Sequence, residues 1–267
     1  MNTLSGWIIV CLFIVGCTGR VSPPVATRAD TAQVAPAPAS SYPFSSPEIV
    51  YFKATGTEPF WSLEISEDSL RFQSLTNDFK AFAVPHSEPA QAMDANVKRY
   101  QSATADGHMR VQIQQLACVN AMSGEESRYT VRVELKRSTD QKFTFFQGCG
   151  NYQIDYRLHD LWALEELGGK KVTPAQFEKQ LPLLEIKAKE ATFMGFAGCN
   201  EMNGQLFSER NRLRFIDIRT TRKACAADNQ EAAFLKALRS ATEYRLSNNR
   251  LSLSNPDGPL LVFRKVD

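Results

Sequence analysis

From Tyr129 to Leu135 every second residue is apolar: Tyr129, Val131, Val133 and Leu135 alternate with Thr130, Arg132 and Glu134. A period of two sends successive side chains to opposite faces of a strand, so this stretch suits a strand with one face in a core and the other in solvent, and it suits no helix. Met109, Val111 and Ile113 repeat the pattern. Across residues 49–157 the same reading places strands at Val50 to Ala54, Phe60 to Ile65, Leu70 to Leu75, Met109 to Gln115, Tyr129 to Leu135, Lys142 to Phe146 and Tyr152 to Tyr156. No amphipathic helix interrupts them. An all-β domain follows, a small antiparallel barrel or sandwich.

Residues 158–267 have a different rhythm, because one helical pattern stands among strands. Asp228 followed three residues later by Glu231 suits a capping box, and Phe234, Leu235, Leu238 and Ala241 then share a helical face. Strands are expected at Trp162 to Leu167, Leu183 to Ala188, Ala191 to Phe196, Gln205 to Phe207, Leu213 to Ile218, Glu243 to Leu246, Arg250 to Leu253 and Leu260 to Arg264. Asn248 with Asn249, and Asp257 with Gly258, supply turn residues between the last three. This second domain is expected to be α+β, a curved antiparallel sheet with one main helix.

The chain ahead of these domains reads as an address and a tether. Residues 1–16 hold an apolar run from Gly6 to Gly16, shorter than the ~20 residues that a membrane-spanning helix needs. The run ends in Ile14, Val15, Gly16 and Cys17, which resembles a lipobox, where a signal peptide is cut and the following thiol is diacylated. Cys17 is therefore the expected lipidation site, although no basic residue precedes the run. Residues 17–48 then turn rich in Pro, Ala, Ser and Thr, a composition that buries no core and reads as a disordered linker. A flexible chain of that length spans about 30 Å, enough to hold a folded unit off a lipid surface. Thr18, in place of an aspartate, resembles lipoproteins sorted to the outer membrane, so the expected location is that membrane, facing the periplasm.

Four cysteines remain beyond Cys11 and Cys17, two in each domain, and four allow three connectivities. An oxidising compartment favours disulfides. Pairing within domains gives Cys118 with Cys149 and Cys199 with Cys225, each worth roughly 3 to 4 kcal/mol in the chain-entropy account.

Little else in the sequence carries chemistry. Zinc sites use cysteines two to four residues apart; this chain has no such pair, and His86, His108 and His159 are scattered. Serine-hydrolase elbows, phosphate loops and dinucleotide fingerprints are absent as motifs. Glu64, Glu165 and Glu166 read as solvated strand positions, and Phe60 with Trp61 as a core pair ahead of a ligand mouth. Thirty-one basic against twenty-nine acidic residues leave a net charge of +2, which gives nucleic acid no electrostatic footprint. Arg219, Arg222 and Lys223 form the one basic cluster offered as a ligand or partner contact, toward an anionic headgroup or acidic partner. No catalytic residue, metal ligand or cofactor is assigned.

Trp162, Leu164 and Gly168, then Gly198, Cys199, Asn200 and Gly204, then Thr221, Ala224 and Cys225, then Glu231, Phe234, Leu235 and Leu238 resemble the META domain, also called the heat shock HslJ family. The most specific part is Gly-Cys-Asn followed by a Thr-x-x-x-Cys stretch and a helix. Upstream, Gly56 to Trp61, Cys118, Met122 to Gly124 and Gly148 to Gly150 are similar to a family of envelope proteins without an assigned function. The META resemblance implies a curved sheet with a helix, often on envelope lipoproteins, and an association with stress and antibiotic tolerance. The expected function is then a noncatalytic envelope lipoprotein, a binding or stress-protective module at the outer membrane that supports antibiotic or envelope stress tolerance, takes a hydrophobic small molecule or an envelope protein as partner, and is held to the membrane by its N-terminal lipid. Two alternatives stand beside it: a hydrolytic or other enzyme whose site assembles from scattered residues, and a pilotin-like or chaperone-like secretion accessory.

Overall fold

The computed structural model describes residues 48–178 and 180–266, and these form one compact unit. The signal segment, Cys17 and the linker through residue 47 lie outside the described residues. Glu48, assigned to the linker by composition, is instead held: its carboxylate accepts from Ser66 Oγ, from Ser69 Oγ at 3.0 Å and from Arg71.

The N-terminal half is made of β1 (Val50–Thr57), β2 (Phe60–Ser66), β3 (Ser69–Ser74), β4 (Ala81–Pro85), β5 (Ala90–Gln91), β6 (Val97–Thr104), β7 (Gly107–Gln114), β8 (Cys118–Val119), β9 (Glu126–Ser127), β10 (Tyr129–Arg137) and β11 (Thr144–Tyr152). Nine of these form one antiparallel sheet in the order β4-β3-β2-β1-β11-β10-β7-β6-β5, while β8 and β9 pair separately. The alternation seen in sequence becomes register: Val131 faces Ile113, Val133 faces Val111 and Leu135 faces Met109, all in the core. The sheet is continuous and curled, with β4 and β6 approaching each other around a core that includes Phe52, Leu63, Phe72 and Tyr100. Gly148 lets β11 approach β1 closely, since a Cβ there would lie 2.1 Å from the Thr55 carbonyl oxygen and 2.8 Å from the Trp61 ring.

Tyr152 to Tyr156 is not a strand. β11 ends at Tyr152, and Tyr156–Leu158 is a single 3-10 turn capped by buried Asp155, whose Oδ1 accepts from the Arg157 amide at 3.0 Å. A local side-chain acceptor of this kind competes with ladder pairing.

The C-terminal half contains β12 (Asp160–Leu167), β13 (Lys170–Lys171), β14 (Leu183–Lys187), β15 (Thr192–Phe196), β16 (Glu201–Glu209), β17 (Arg212–Thr220), α1 (Glu231–Ser240), β18 (Glu243–Ser247), β19 (Arg250–Asn255) and β20 (Gly258–Lys265). Antiparallel pairing runs β13-β12-β14-β15-β16-β17-β18-β19-β20, and β20 also pairs with β12, closing the sheet into a ring. The weakest link is β17 with β18, where a single pair, Arg212 and Glu243, is in register. The helix lies between these strands in sequence and packs on β17 and β20, with Phe234 edge-on to Phe263 at 6.2 Å. Its N-cap is Gln230 rather than Asp228: the Glu231 amide is taken by Asn229 Oδ1 at 2.8 Å, and the Glu231 carboxylate turns toward Asn200. The core again combines aromatic and aliphatic side chains, among them Trp162, Ile186, Phe193, Phe215 and Leu251. No helix among the described residues is long and apolar enough to cross a membrane.

Candidate functional site

The two sheets meet at the tip of the β16–β17 hairpin. Glu209 and Arg212 pair across a two-residue turn, and Arg210 occupies its first position with φ +58°. That left-handed conformation favours glycine and costs a longer side chain on the order of 1 kcal/mol or more. Both tip side chains bind the N-terminal sheet. Glu209, 6 % exposed, accepts from the Tyr129 hydroxyl at 2.5 Å, Asn96 Nδ2 at 2.9 Å and Lys98 Nζ at 3.0 Å. Arg210 clasps two carboxylates at once, Glu67 at 2.6 and 2.9 Å and Glu88 at 2.7 and 2.8 Å, with its guanidinium over the Tyr51 ring. Tyr51 in turn bonds His86 Nε2 at 2.9 Å and Tyr100 at 3.3 Å.

The electrostatics of this seam are settled by these bonds. Burial pushes the Glu209 carboxyl upward, but hydrogen bonds from Tyr129, Asn96 and Lys98 and the Lys98 charge outweigh it, so the group sits below its ordinary value. Burial raises the Tyr51, Tyr129 and Tyr152 hydroxyls, which stay protonated. Lys98 also donates to the Tyr152 hydroxyl at 3.1 Å. Glu209 and Lys98 are therefore committed to holding the sheets together.

Beside this lock a cleft of about 460 Å³ opens between the sheets. The N-terminal side contributes Glu126, Arg128, Asn151 and Gln153, with Tyr129 and Tyr152; the connecting 3-10 turn contributes Tyr156, and the C-terminal side Lys189, Leu206, Phe207 and Ser208. Arg128 is fixed at two points: its guanidinium stands 5.3 Å over the Phe207 ring, and its amide donates to Asn151 Oδ1 at 2.8 Å. Asn151 is itself oriented by donating to Ser127 Oγ at 3.1 Å.

The Gly198-Cys199-Asn200 motif builds a second cluster, and it is a structural one. The cysteines are joined as Cys118–Cys149 and Cys199–Cys225, each pair within one half of the fold. Asn200, 4 % exposed, donates from Nδ2 to Glu231 Oε1 at 2.9 Å and accepts at Oδ1 from Thr221 Oγ1 at 2.8 Å and the Lys223 amide at 2.7 Å. Its own amide donates to Glu231 Oε2 at 2.5 Å. Gly198 has φ +114°, and a Cβ there would meet the Phe177 ring at 2.3 Å. The strand β16, the segment after β17 and the start of α1 are thereby tied at one point. Cys199, Cys225 and Glu231 group like metal ligands, but the disulfide occupies both sulfurs.

The remaining sequence candidates scatter. Arg219, Arg222 and Lys223 are exposed, and none of their side chains forms an ion pair among the described residues. Arg219 points outward because β17 carries one extra residue opposite Asn203–Gln205, at Asp217. Glu64 lies on the surface between Lys53 and Arg71, and Glu165 pairs with Arg250. Phe60 and Trp61 part company: Trp61 is buried against Phe72, while Phe60 remains 47 % exposed. Sequence reasoning missed Glu209, Arg210 and Arg128, whose partners lie far away in the chain. The local hint was Arg210-Asn211 between two apolar-alternating stretches, a turn whose asparagine is usual and whose arginine is not.

The Gly-Cys-Asn cluster, its disulfide and the helix it ties belong to one stretch of chain. Residues 157–267 match the family model of the META domain. The Asn200 cluster is thus an anchor within the META segment, and the Glu209–Arg210 tip is one of that segment's attachments to the upstream half, beside the Arg128–Phe207 contact and the Tyr244 hydroxyl on Asp155 at 3.2 Å. Two solved NMR structures are similar over part of the chain. One shares 22% identity, covers 40% of this chain and 90% of its own, and has a TM-score of 0.33. The other, from Burkholderia xenovorans, shares 24% identity, covers 41% of this chain and 85% of its own, and has a TM-score of 0.34. No curated protein matches.

Proposed function

We propose that this is an envelope lipoprotein that binds rather than catalyses, with the cleft between its two sheets as the binding site. The supporting observation is the division of labour at the seam. The buried ionisable groups, Glu209 and Lys98, are consumed by mutual and tyrosine bonds, whereas the neighbouring cleft of about 460 Å³ is lined by aromatic, amide and charged side chains. That volume lies within the ~300 to 1,000 Å³ range of small-molecule sites. In this reading residues 49–157 and 158–267 are two domains fused by the hairpin tip, and the second shares the stress-related role of HslJ-like proteins. The first belongs with the envelope proteins that its Gly56 to Trp61 and Gly148 to Gly150 motifs resemble.

Residues 1–16 direct export, Cys17 carries the lipid and residues 18–47 form the tether at the outer membrane, facing the periplasm. A diacylated thiol with an acylated amine supplies the two or more chains that stable anchoring requires. Bound to the membrane through this lipid, the folded unit takes up a hydrophobic molecule or an envelope partner under stress. Two experiments test the reading. Labelled palmitate is incorporated by the wild-type chain and lost in Cys17→Ala, which then leaves the membrane fraction. Deleting the protein raises sensitivity to hydrophobic antibiotics; unchanged sensitivity together with unchanged stress survival refutes the physiological role.

A further inference from the structure

We infer that the seam cleft is selective for anionic amphiphiles, with Arg128 receiving the acid group; this rests on the cleft being the binding site. The cations around the seam fall into two sets. Arg210 holds Glu67 and Glu88, Lys98 holds Glu209 and Arg157 holds Asp155, so each of these is neutralised. Arg128 and Lys189, on opposite walls of the cleft, form no ion pair among the described residues. One acid, Glu126, shares the lining, so the cleft keeps a net positive charge.

Arg128 is also prepared for its task. Its guanidinium lies 5.3 Å over the Phe207 ring, a cation–π contact that narrows its range of positions, and the amide bond to Asn151 fixes the backbone beneath it. A pre-oriented guanidinium loses less freedom when it binds, and it matches a carboxylate, sulfonate or phosphate with two parallel hydrogen bonds. Phe207, Leu206 and Tyr156 supply the apolar wall for the rest of the molecule. A neutral ligand of the same shape would gain the wall and leave the charge unanswered.

A pair of probes that differ by one charge separates these contributions: 8-anilinonaphthalene-1-sulfonate and its uncharged analogue N-phenyl-1-naphthylamine. Fluorescence titrations use the full chain with Cys17→Ser, which carries no lipid to absorb either probe. The sulfonate is expected to bind about tenfold more tightly than the neutral probe, as a charge-assisted contact requires, and to weaken as salt is added. Arg128→Gln, at an exposed position outside both cores, should remove that preference and leave the neutral probe within about twofold. Gln153→Trp, which fills the cleft, should weaken both. Equal binding of the two probes, or sulfonate binding unchanged in Arg128→Gln, overturns the charge selectivity while leaving the cleft as a site. Failure of both probes to bind, or binding of both undiminished by Gln153→Trp, overturns the cleft reading and the selectivity with it.

Discussion

Replacing Glu209 with alanine removes the acceptor for three donors at once, and the structure shows what each would keep. Lys98, whose side chain is 13% exposed, retains the Tyr152 hydroxyl at 3.1 Å. Asn96 Nδ2 retains Gln115 Oε1 at 2.8 Å. The buried Tyr129 hydroxyl loses its acceptor. Breaking a buried ion pair from one side costs ~3 to 5 kcal/mol, and an orphaned buried hydroxyl ~1 to 3 kcal/mol. These losses share one site and do not add, and the residual exposure of Lys98 admits water, so the expected cost is about 3 kcal/mol. Urea denaturation at neutral pH would record it as a lower midpoint with an unchanged slope. The companion variant Lys98→Met with Glu209→Leu leaves no unpaired charge and should be more stable than Glu209→Ala alone. A loss below about 1 kcal/mol in Glu209→Ala, or a double variant as unstable as the single, would refute the claim that this pair is a buried lock.

Three further outcomes follow from the same structure. Because the folded state holds the Glu209 carboxyl below its ordinary value, its contribution is full above the unfolded carboxyl pKa of ~4.3 and is lost as pH falls through the folded value; the stability gap between wild type and Glu209→Gln should therefore narrow below about pH 4, read by denaturation across pH. Gly148→Ala forces a Cβ against the Thr55 carbonyl and the Trp61 ring, and should cost about 2 to 3 kcal/mol with a shift in tryptophan fluorescence. Asn200→Ala strips two acceptor bonds and the Nδ2 bond to Glu231, and should cost about 2 kcal/mol by calorimetry while non-reducing digestion still recovers the Cys199–Cys225 bridge.

Strands that bury one whole face were legible in the sequence. Tyr129 to Leu135 and Met109 to Ile113 alternate cleanly, and both stand in the N-terminal core. Val97–Thr104 was not legible, because Tyr100 is its one buried residue and the rest of the strand is polar or partly exposed. Ala81–Pro85 does alternate, with Phe82 and Val84 buried, yet it is short and ends in proline, which argues against a strand unless it lies at an edge. The disulfides were legible because two cysteines fall in each half of the fold. The seam was not: Glu209 bonds Lys98 across 111 residues and Arg210 bonds Glu67 across 143, separations at which no local pattern operates. The cleft beside it inherits the same obscurity.

The pairing order also has a consequence for how the chain assembles as it emerges from its N-terminus. β1 needs β11, and β12 needs β20, so each sheet waits for its own last strand. The first sheet has all its strands once Tyr152 is available, whereas the hairpin that covers Lys98 and Tyr129 arrives more than fifty residues later, at Glu209 and Arg210. Until that hairpin is made, Lys98 and Tyr129 lack the Glu209 acceptor, and Glu67 and Glu88 lack the guanidinium that holds both in the finished fold. The four groups that the hairpin satisfies are thus the last in the first half to find their partners along the chain.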